Sequence, residues 1–471
     1  MLFHSFTFAF LFLPLVLVAN RLSARHSNVA VYLLIAASVI FYSFWNAQYL
    51  GLLVASILVN YSLSLGALNS SRRSNKLMFL IIGLGCNLMP LFYFKYSSFL
   101  IRSVNQLLGL QIPWLEVGLP LAISFYTFQQ IAFLVDCYRG NQDLPKFHEY
   151  VFFVVFFPQL IAGPIVHLSE ILPQLRAKTL CRMNGESFLI GFCLFVSGMF
   201  KKMVVADYFA GYSAPNAQHL FFADAWISSL AYALRIYYDF SGYSTMAIGI
   251  ALLFNIRLPI NFDSPYQAEN LKEFWRRWHI TLARFLKYYL YFPLGGSRVN
   301  GARTLFNALV VFALGGLWHG AGINFLIWGL LHGAGISIYY FLSKRYPVPM
   351  PRFLGVFFTF IFVISTIPFF STVDFSLAWG TFQSLFRFSD GFQSQSFLSL
   401  EFLAALAFTI LGTFLLPSSE RIFGYLGNRN EPLIFVRWPV GATLSMGASL
   451  GVCLIYIFKM KEPVEFIYFF F

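Results

Sequence analysis

Charge is scarce in this chain. Of 471 residues only 11% are Asp, Glu, Lys or Arg, whereas 58% are apolar. A soluble domain carries about 25% charged residues and roughly 45–50% apolar ones, so there is too little polar surface here to cover a fold in water. Cysteine is sparse too. Cys86, Cys137, Cys181, Cys193 and Cys453 are scattered and odd in number, with no CxxC and no Cys/His pair at metal-ligand spacing. That excludes a disulfide framework or a zinc site as the organising device. P-loop and HExxH patterns are missing, and with them the commonest nucleotide and metalloprotease signatures. No internal repeat or low-complexity linker divides the chain. No Lys or Arg precedes the apolar core of "MLFHSFTFAFLFLPLVLVAN", so this segment reads as a retained membrane helix rather than a cleaved leader.

What is abundant is phenylalanine, 59 copies, set in long apolar runs. A spanning helix takes about 20 apolar residues. Candidates lie at 3–20, 29–45, 49–68, 77–95, 112–135, 148–166, 185–205, 222–254, 303–319, 322–343, 353–371, 397–416 and 439–458, some of them re-entrant or partly buried. The expected fold is an all-α polytopic membrane protein, one integral domain over 1–471, in contact with lipid throughout. The net charge of +13 sits in short loops, which is an orientation signal and not a nucleic-acid face. Arg21 and Arg25, then Arg72, Arg73 and Lys76, then Lys344, Arg345 and Arg352, then Arg421, Arg429 and Arg437 fall in alternate loops. Placing these inside puts both ends outside, calls for about twelve crossings and leaves 222–254 without a net crossing.

One stretch departs from the pattern. In "AENLKEFWRRWHITLARFLKYYLYFPLGGSR", Leu271, Phe274, Trp275, Trp278, Leu282, Phe285, Leu286 and Tyr289 form one helical stripe, with Lys272, Arg276, Arg277, Arg284 and Lys287 off it. Such a helix lies in the membrane interface. It serves either as an anchor on anionic lipid or as a basic rim that attracts an anionic substrate.

Ionisable groups inside apolar runs are costly and mark function or pairing. Arg235 and Asp239 share a helix face at i,i+4 and are expected to neutralise each other; Asp136 and Arg139 mark a helix end. His319 and His332, in "GLWHGAGINFLIWGLLHG", have no carboxylate nearby in sequence. A buried neutral imidazole accepts a proton near physiological pH, which suits a general base. Hydrogen bonding to backbone carbonyls, haem ligation and catalysis are all open from spacing alone. Gly315, Gly316, Gly320 and Gly322 make room for a substrate or for another helix.

Taken together, "LPLAISFYTFQQIAFLVDCYRG", "FFPQLIAGPI", "YYDFSGYSTMAIGIALLFNIRLPINFDSPYQAENLKEFWRRWHITLARFLKYYLYFPLGGSR" and "GGLWHGAGINFLIWGLLHG" resemble the membrane-bound O-acyltransferase family, over nearly the whole chain. The likeness is to its bacterial branch that acetylates exported polysaccharides such as alginate. The resemblance implies a ring of tilted helices, with re-entrant and interfacial ones, around a central funnel. It implies His319 as catalytic residue, His332 in support, and acetyl-CoA as cytoplasmic donor with no bound cofactor. It also implies a bacterial inner-membrane location and a periplasmic SGNH-hydrolase-like partner that passes acetyl to a polysaccharide. Residues 459–471 become a short extracytoplasmic tail. Its ending "EFIYFFF" resembles an F-x-Y-F motif, with Tyr468 either an acyl carrier or an interfacial anchor. On this reading Arg276, Arg277 and Lys287 contact donor phosphates, and Trp318 and Trp328 are candidate donors to the developing oxyanion. Asp239 is a further substrate-binding candidate. Relatives often have Asp where this chain has Thr245, and an arginine–aspartate pair where it has Lys287 and Tyr288. D-alanyl transfer to teichoic acid from a carrier-protein thioester is the alternative within the family. A glycan transporter without bond chemistry is the alternative outside it.

Overall fold

The computed structural model describes residues 1–23, 27–113, 118–141, 144–182, 184–213, 221–345, 350–388, 399–426, 439–459 and 464–467. Arg25, Arg429, Arg437 and Tyr468 lie outside the described residues. Every regular element among the described residues is helical. Among the described residues, six helices are long and apolar enough to cross a membrane: Asn28–Trp45, Ala47–Asn69, Arg73–Leu108, Gly185–Ala210, Gly301–His319 and Ile323–Arg345. Shorter apolar helices cover Thr7–Leu22, Arg352–Thr366, Leu400–Leu415 and Thr443–Lys459. Leu15, Leu22, Phe353 and Phe408 stand more than two-thirds exposed. An outer surface of that kind is tolerated by lipid and not by water. The protein is an all-α, multi-pass membrane protein.

The elements follow the runs read from the sequence, with two informative departures. The run 77–95 extends to Arg73–Leu108, through Pro90, and stops at Gly109 with φ 65°. At 1.5 Å per residue its 36 residues span about 54 Å, well beyond the roughly 30 Å hydrocarbon layer. The run 148–166 is not one helix. It is Phe147–Val155 followed by the single turn Phe157–Leu160. Pro158 cannot donate an intrahelical hydrogen bond, so the helix ends ahead of it and restarts with the proline in its first turn, where no donor is missed. Phe152, Phe153, Phe156 and Phe157 are fully buried, and only the start of the segment, at Phe147, is exposed. Asp136 and Arg139 close the helix Ile123–Arg139, which Gly140 caps at φ 75°.

The chain forms two compact units. One comprises Met1–Ser197, Tyr243–Pro259 and Leu454–Glu465. Stacked and edge-on rings of Phe3, Phe8, Phe12, Phe41 and Phe157 fill its core. A reciprocal amide pair between Asn60 and Asn87, 2.6 and 3.2 Å, ties two of its apolar helices. Such polar contacts hold membrane helices together where the hydrophobic effect is absent.

The other unit comprises Gly198–Gly242, Ile260–Cys453 and Phe466–Phe471. Here Gly301–His319 and Ile323–Arg345 pack backbone to backbone. A Cβ on Gly316 would lie 2.1 Å from the carbonyl oxygen of Phe325, and one on Gly329 would lie 2.2 Å from that of Phe312. These glycines exist for the partner helix. Gly320 likewise faces the ring of Phe325.

Candidate active site

His319 is the last residue of Gly301–His319, where the extended Gly320 ends the helix. The glycine seam just described fixes this end, so the imidazole is set by backbone packing. The ring is 2% exposed and walled by aromatics. Ring centroids lie 4.9 Å away at Trp318, 5.1 Å at Phe370, 5.3 Å at Trp328 and 6.4 Å at a second imidazole, His279.

His279 is a residue the sequence reading passed over. The expected single amphipathic helix is two, Leu271–Arg277 and Ile280–Leu286, followed by a π-helical turn over Lys287–Tyr291. The break is His279 itself, at φ 42° and ψ 53°. Asn261 holds it open. Its carbonyl accepts from the Ile280 amide, 2.9 Å, and its Oδ1 accepts from both the amide and the hydroxyl of Thr281, 3.3 and 3.0 Å. The same oxygen lies 3.0 Å from His279 Nδ1. An oxygen that takes a backbone N–H is an acceptor, so Nδ1 carries the proton and Nε2 the lone pair. Burial pushes this imidazole down to about 3, so it is uncharged at neutral pH.

His332 is buried on the same helix pair. Its Nδ1 accepts from the indole N–H of Trp275, 3.2 Å, and its Nε2 lies 3.1 Å from the Thr366 hydroxyl. That hydroxyl donates to the carbonyl of Val363, 2.8 Å. An indole only donates, so the neutral ring holds its proton on Nε2 and gives it to Thr366. Both ring nitrogens of His332 are hydrogen-bonded. With Trp328, Trp278, Phe274, Phe370 and Tyr266 it lines a small apolar cavity of about 20 Å³.

Trp275 faces the other way into a cleft of about 740 Å³, lined by Lys272, Arg276, Arg284, Lys287, Tyr288 and Tyr291 among others. Arg276 and Lys287 are therefore where a basic rim requires them, and Lys272 and Arg284 join them. Lys287 and Tyr288 stand next to each other in this wall. Arg277 is not. It pairs with Glu273 one turn back, a carboxylate that also caps the amide of Glu269.

Asp239 also differs from expectation. Its ion-pair partner is Lys202, at 2.8 Å, and not Arg235. Arg235 donates to the Ser213 hydroxyl, 2.9 Å, and Lys202 also pairs with Asp207, 2.7 Å. The reason is a close helix crossing: a Cβ on Gly242 would lie 2.8 Å from the Gly198 carbonyl. That contact brings the π-helical turn Lys201–Ala206 against Asp239. Asp239 thus lies at a buried ion cluster, away from the residues of the basic cleft, and its second oxygen accepts from the Ile467 amide. Trp318 sits against both His319 and His279.

Residues 138–373 match the model of the membrane-bound O-acyltransferase family. That span contains His279, His319, His332 and the whole cleft. A peptidoglycan O-acetyltransferase of Helicobacter pylori is 43% identical over 397 residues, 77% of this chain and 75% of the relative. A probable alginate O-acetylase of Azotobacter vinelandii is 37% identical over 405 residues, 83% and 79% of the two chains. A teichoic acid D-alanyltransferase of Bacillus subtilis is 23% identical over 236 residues, 48% and 60%.

Proposed function

The chain belongs to the membrane-bound O-acyltransferase family, and from that premise we propose that it moves acetyl from cytoplasmic acetyl-CoA to a surface or cell-wall polysaccharide in the bacterial inner membrane. The observation that carries the reading is a chain of ring contacts: Trp275, in the wall of the basic cleft, stands edge-on to Trp328, which stands edge-on to the buried His319, itself beside His279. A neutral base inside an apolar wall and a cationic groove beside it are what a thioester on a polyanionic carrier requires.

In this scheme Lys272, Arg276, Arg284 and Lys287 hold the phosphates of the donor. His319 takes the proton of the accepting hydroxyl as its oxygen attacks the thioester carbonyl. The tetrahedral intermediate then expels the CoA thiolate, which takes that proton from the imidazolium. A new ester C–O bond replaces the C–S bond, and free CoA leaves. His279, protonated on Nδ1 through Asn261, keeps its neighbour's surroundings neutral, and His332 fixes Trp275 between the cleft and the cavity. Trp318 and Trp328, against His319, are the nearest indole groups to the reacting centre. The first acceptor is the phenol of Tyr468 or a glycan hydroxyl, and a periplasmic SGNH-hydrolase-like partner completes delivery.

The greater identity and coverage of the two O-acetyl-transferring relatives favour acetyl over D-alanyl transfer. Purified protein in nanodiscs, given labelled acetyl-CoA, is expected to transfer label to itself or to a sugar acceptor. His319→Ala at equal protein level is expected to abolish it. Glycan movement across vesicles without label transfer points instead to a transporter and overturns the reading.

A further inference from the structure

A carboxylate in the middle of the helix Phe222–Leu253, 1% exposed, holds a main-chain amide from the far end of the sequence. Asp239 Oδ2 accepts from the Ile467 N–H at 2.8 Å. Its other oxygen lies 2.8 Å from Lys202 Nζ, itself only 3% exposed. Asp207 also pairs with Lys202, and of the two carboxylates it is Asp239 whose second oxygen accepts from the Ile467 amide. Phe466 and Ile467 are 1% and 6% exposed. The Phe466 ring packs on Phe240, 5.7 Å, and Phe240 stands edge-on to His279, 4.7 Å. His279 in turn neighbours His319.

We propose that Asp239, seated on Lys202, is the docking site for this chain's own C-terminal segment, and that it is a positioning residue for acyl transfer. The docked residues are Phe466 and Ile467. The Ile467 amide is gripped by a charge-assisted hydrogen bond, which is stronger than a neutral one. The phenylalanine fills a slot in contact with the ring that backs His279. Recognition through the main chain makes residue 467 intolerant of losing its N–H. The positioning role rests on the acetyl-transfer reading; the docking itself does not.

The test uses the full chain in nanodiscs with two readouts, trimming by a broad-specificity carboxypeptidase mixed with a proline-releasing one followed by mass spectrometry, and transfer of label from acetyl-CoA. Asp239→Leu and Ile467→Pro remove the acceptor and the donor in turn. Both are expected to be trimmed past residue 467 about tenfold faster than the parent, the loss expected for one charge-assisted hydrogen bond, and to lose transfer in step. Asp239→Asn keeps an acceptor oxygen and is expected to stay protected and to recover most of the transfer. Ile467→Pro leaves the helices untouched, so it keeps the test valid if Asp239→Leu misfolds. Unchanged trimming in Ile467→Pro overturns the docking. Faster trimming with unchanged transfer overturns the positioning role alone. A parent chain that transfers no label at all is the failure of the acetyl reading, and the trimming result still stands by itself.

Discussion

The indole N–H of Trp275 lies 3.2 Å from Nδ1 of His332, and that one hydrogen bond joins the wall of the basic cleft to the wall of the inner cavity. It also fixes the tautomer of His332, because an indole never accepts. Trp275→Phe keeps the bulk and deletes the donor. Buried, an unsatisfied ring nitrogen costs about 1–3 kcal/mol. The expected outcome is a kcat lowered by about tenfold or more with KM for acetyl-CoA little changed, read from steady-state transfer assays. A KM effect alone would remove His332 from the positioning role.

The two histidines flagged by the sequence should separate in kinetics. General bases contribute about 10²–10⁴-fold, so His319→Ala is expected to lose at least that much. His332→Gln retains groups for both Trp275 and Thr366 and should lose far less. Equal losses in single-turnover label transfer would count against the division of roles drawn from their hydrogen bonds.

What was legible in the sequence was local. His319 and His332 stand in a glycine-rich apolar run, and their rarity there is visible without a fold. Arg276 and Lys287 were legible because helical spacing puts them off the apolar stripe. Glu273, four residues before Arg277, was equally in view, and an i,i+4 pair is a local signal that should have withdrawn Arg277 from the cleft. His279 was not legible, because its position depends on Asn261, 18 residues away, which breaks a helix whose periodicity reads as continuous. Lys202 escaped for a similar reason. It lies in an apolar run, and only a π-helical turn and a glycine crossing 40 residues on turn it toward Asp239.

The cleft predicts a charge series. Lys272→Met, Arg276→Met, Arg284→Met and Lys287→Met should each raise KM for acetyl-CoA several-fold with kcat nearly unchanged, and the rise should shrink as salt screens the parent. Arg277→Gln should leave KM as it was and cost only a few tenths of a kcal/mol of stability, the usual worth of an i,i+4 ion pair. A KM effect at Arg277 as large as at Arg276 would return it to the donor site.

The inner cavity, about 20 Å³, has room for about one water-sized group, and on the proposed function it would take the methyl of the acetyl donor. Ile367 lines it without touching the histidines in the ring contacts above. Ile367→Ala removes three carbons from that wall. The variant is expected to accept propionyl-CoA with a kcat/KM closer to that for acetyl-CoA than the parent shows, a gain measured by competition between labelled donors. An unchanged preference would place the acyl group elsewhere.

His279 sets a pH dependence of stability. Its folded-state pKa is lowered to about 3 from an ordinary 6.5, by burial. The unfolded chain therefore binds the proton first, and between about 6.5 and 3 folding has to expel it, so stability falls as pH falls through that window. Above about 6.5 the two states are equally unprotonated and the contribution is flat. His279→Gln removes this proton while leaving an amide that can donate to Asn261. Its melting temperature in detergent is expected to fall less steeply than the parent's on acidification from pH 7 to pH 5. Parallel slopes would mean that the ring is protonated in the folded protein, and with it the argument for an uncharged partner to His319 would go.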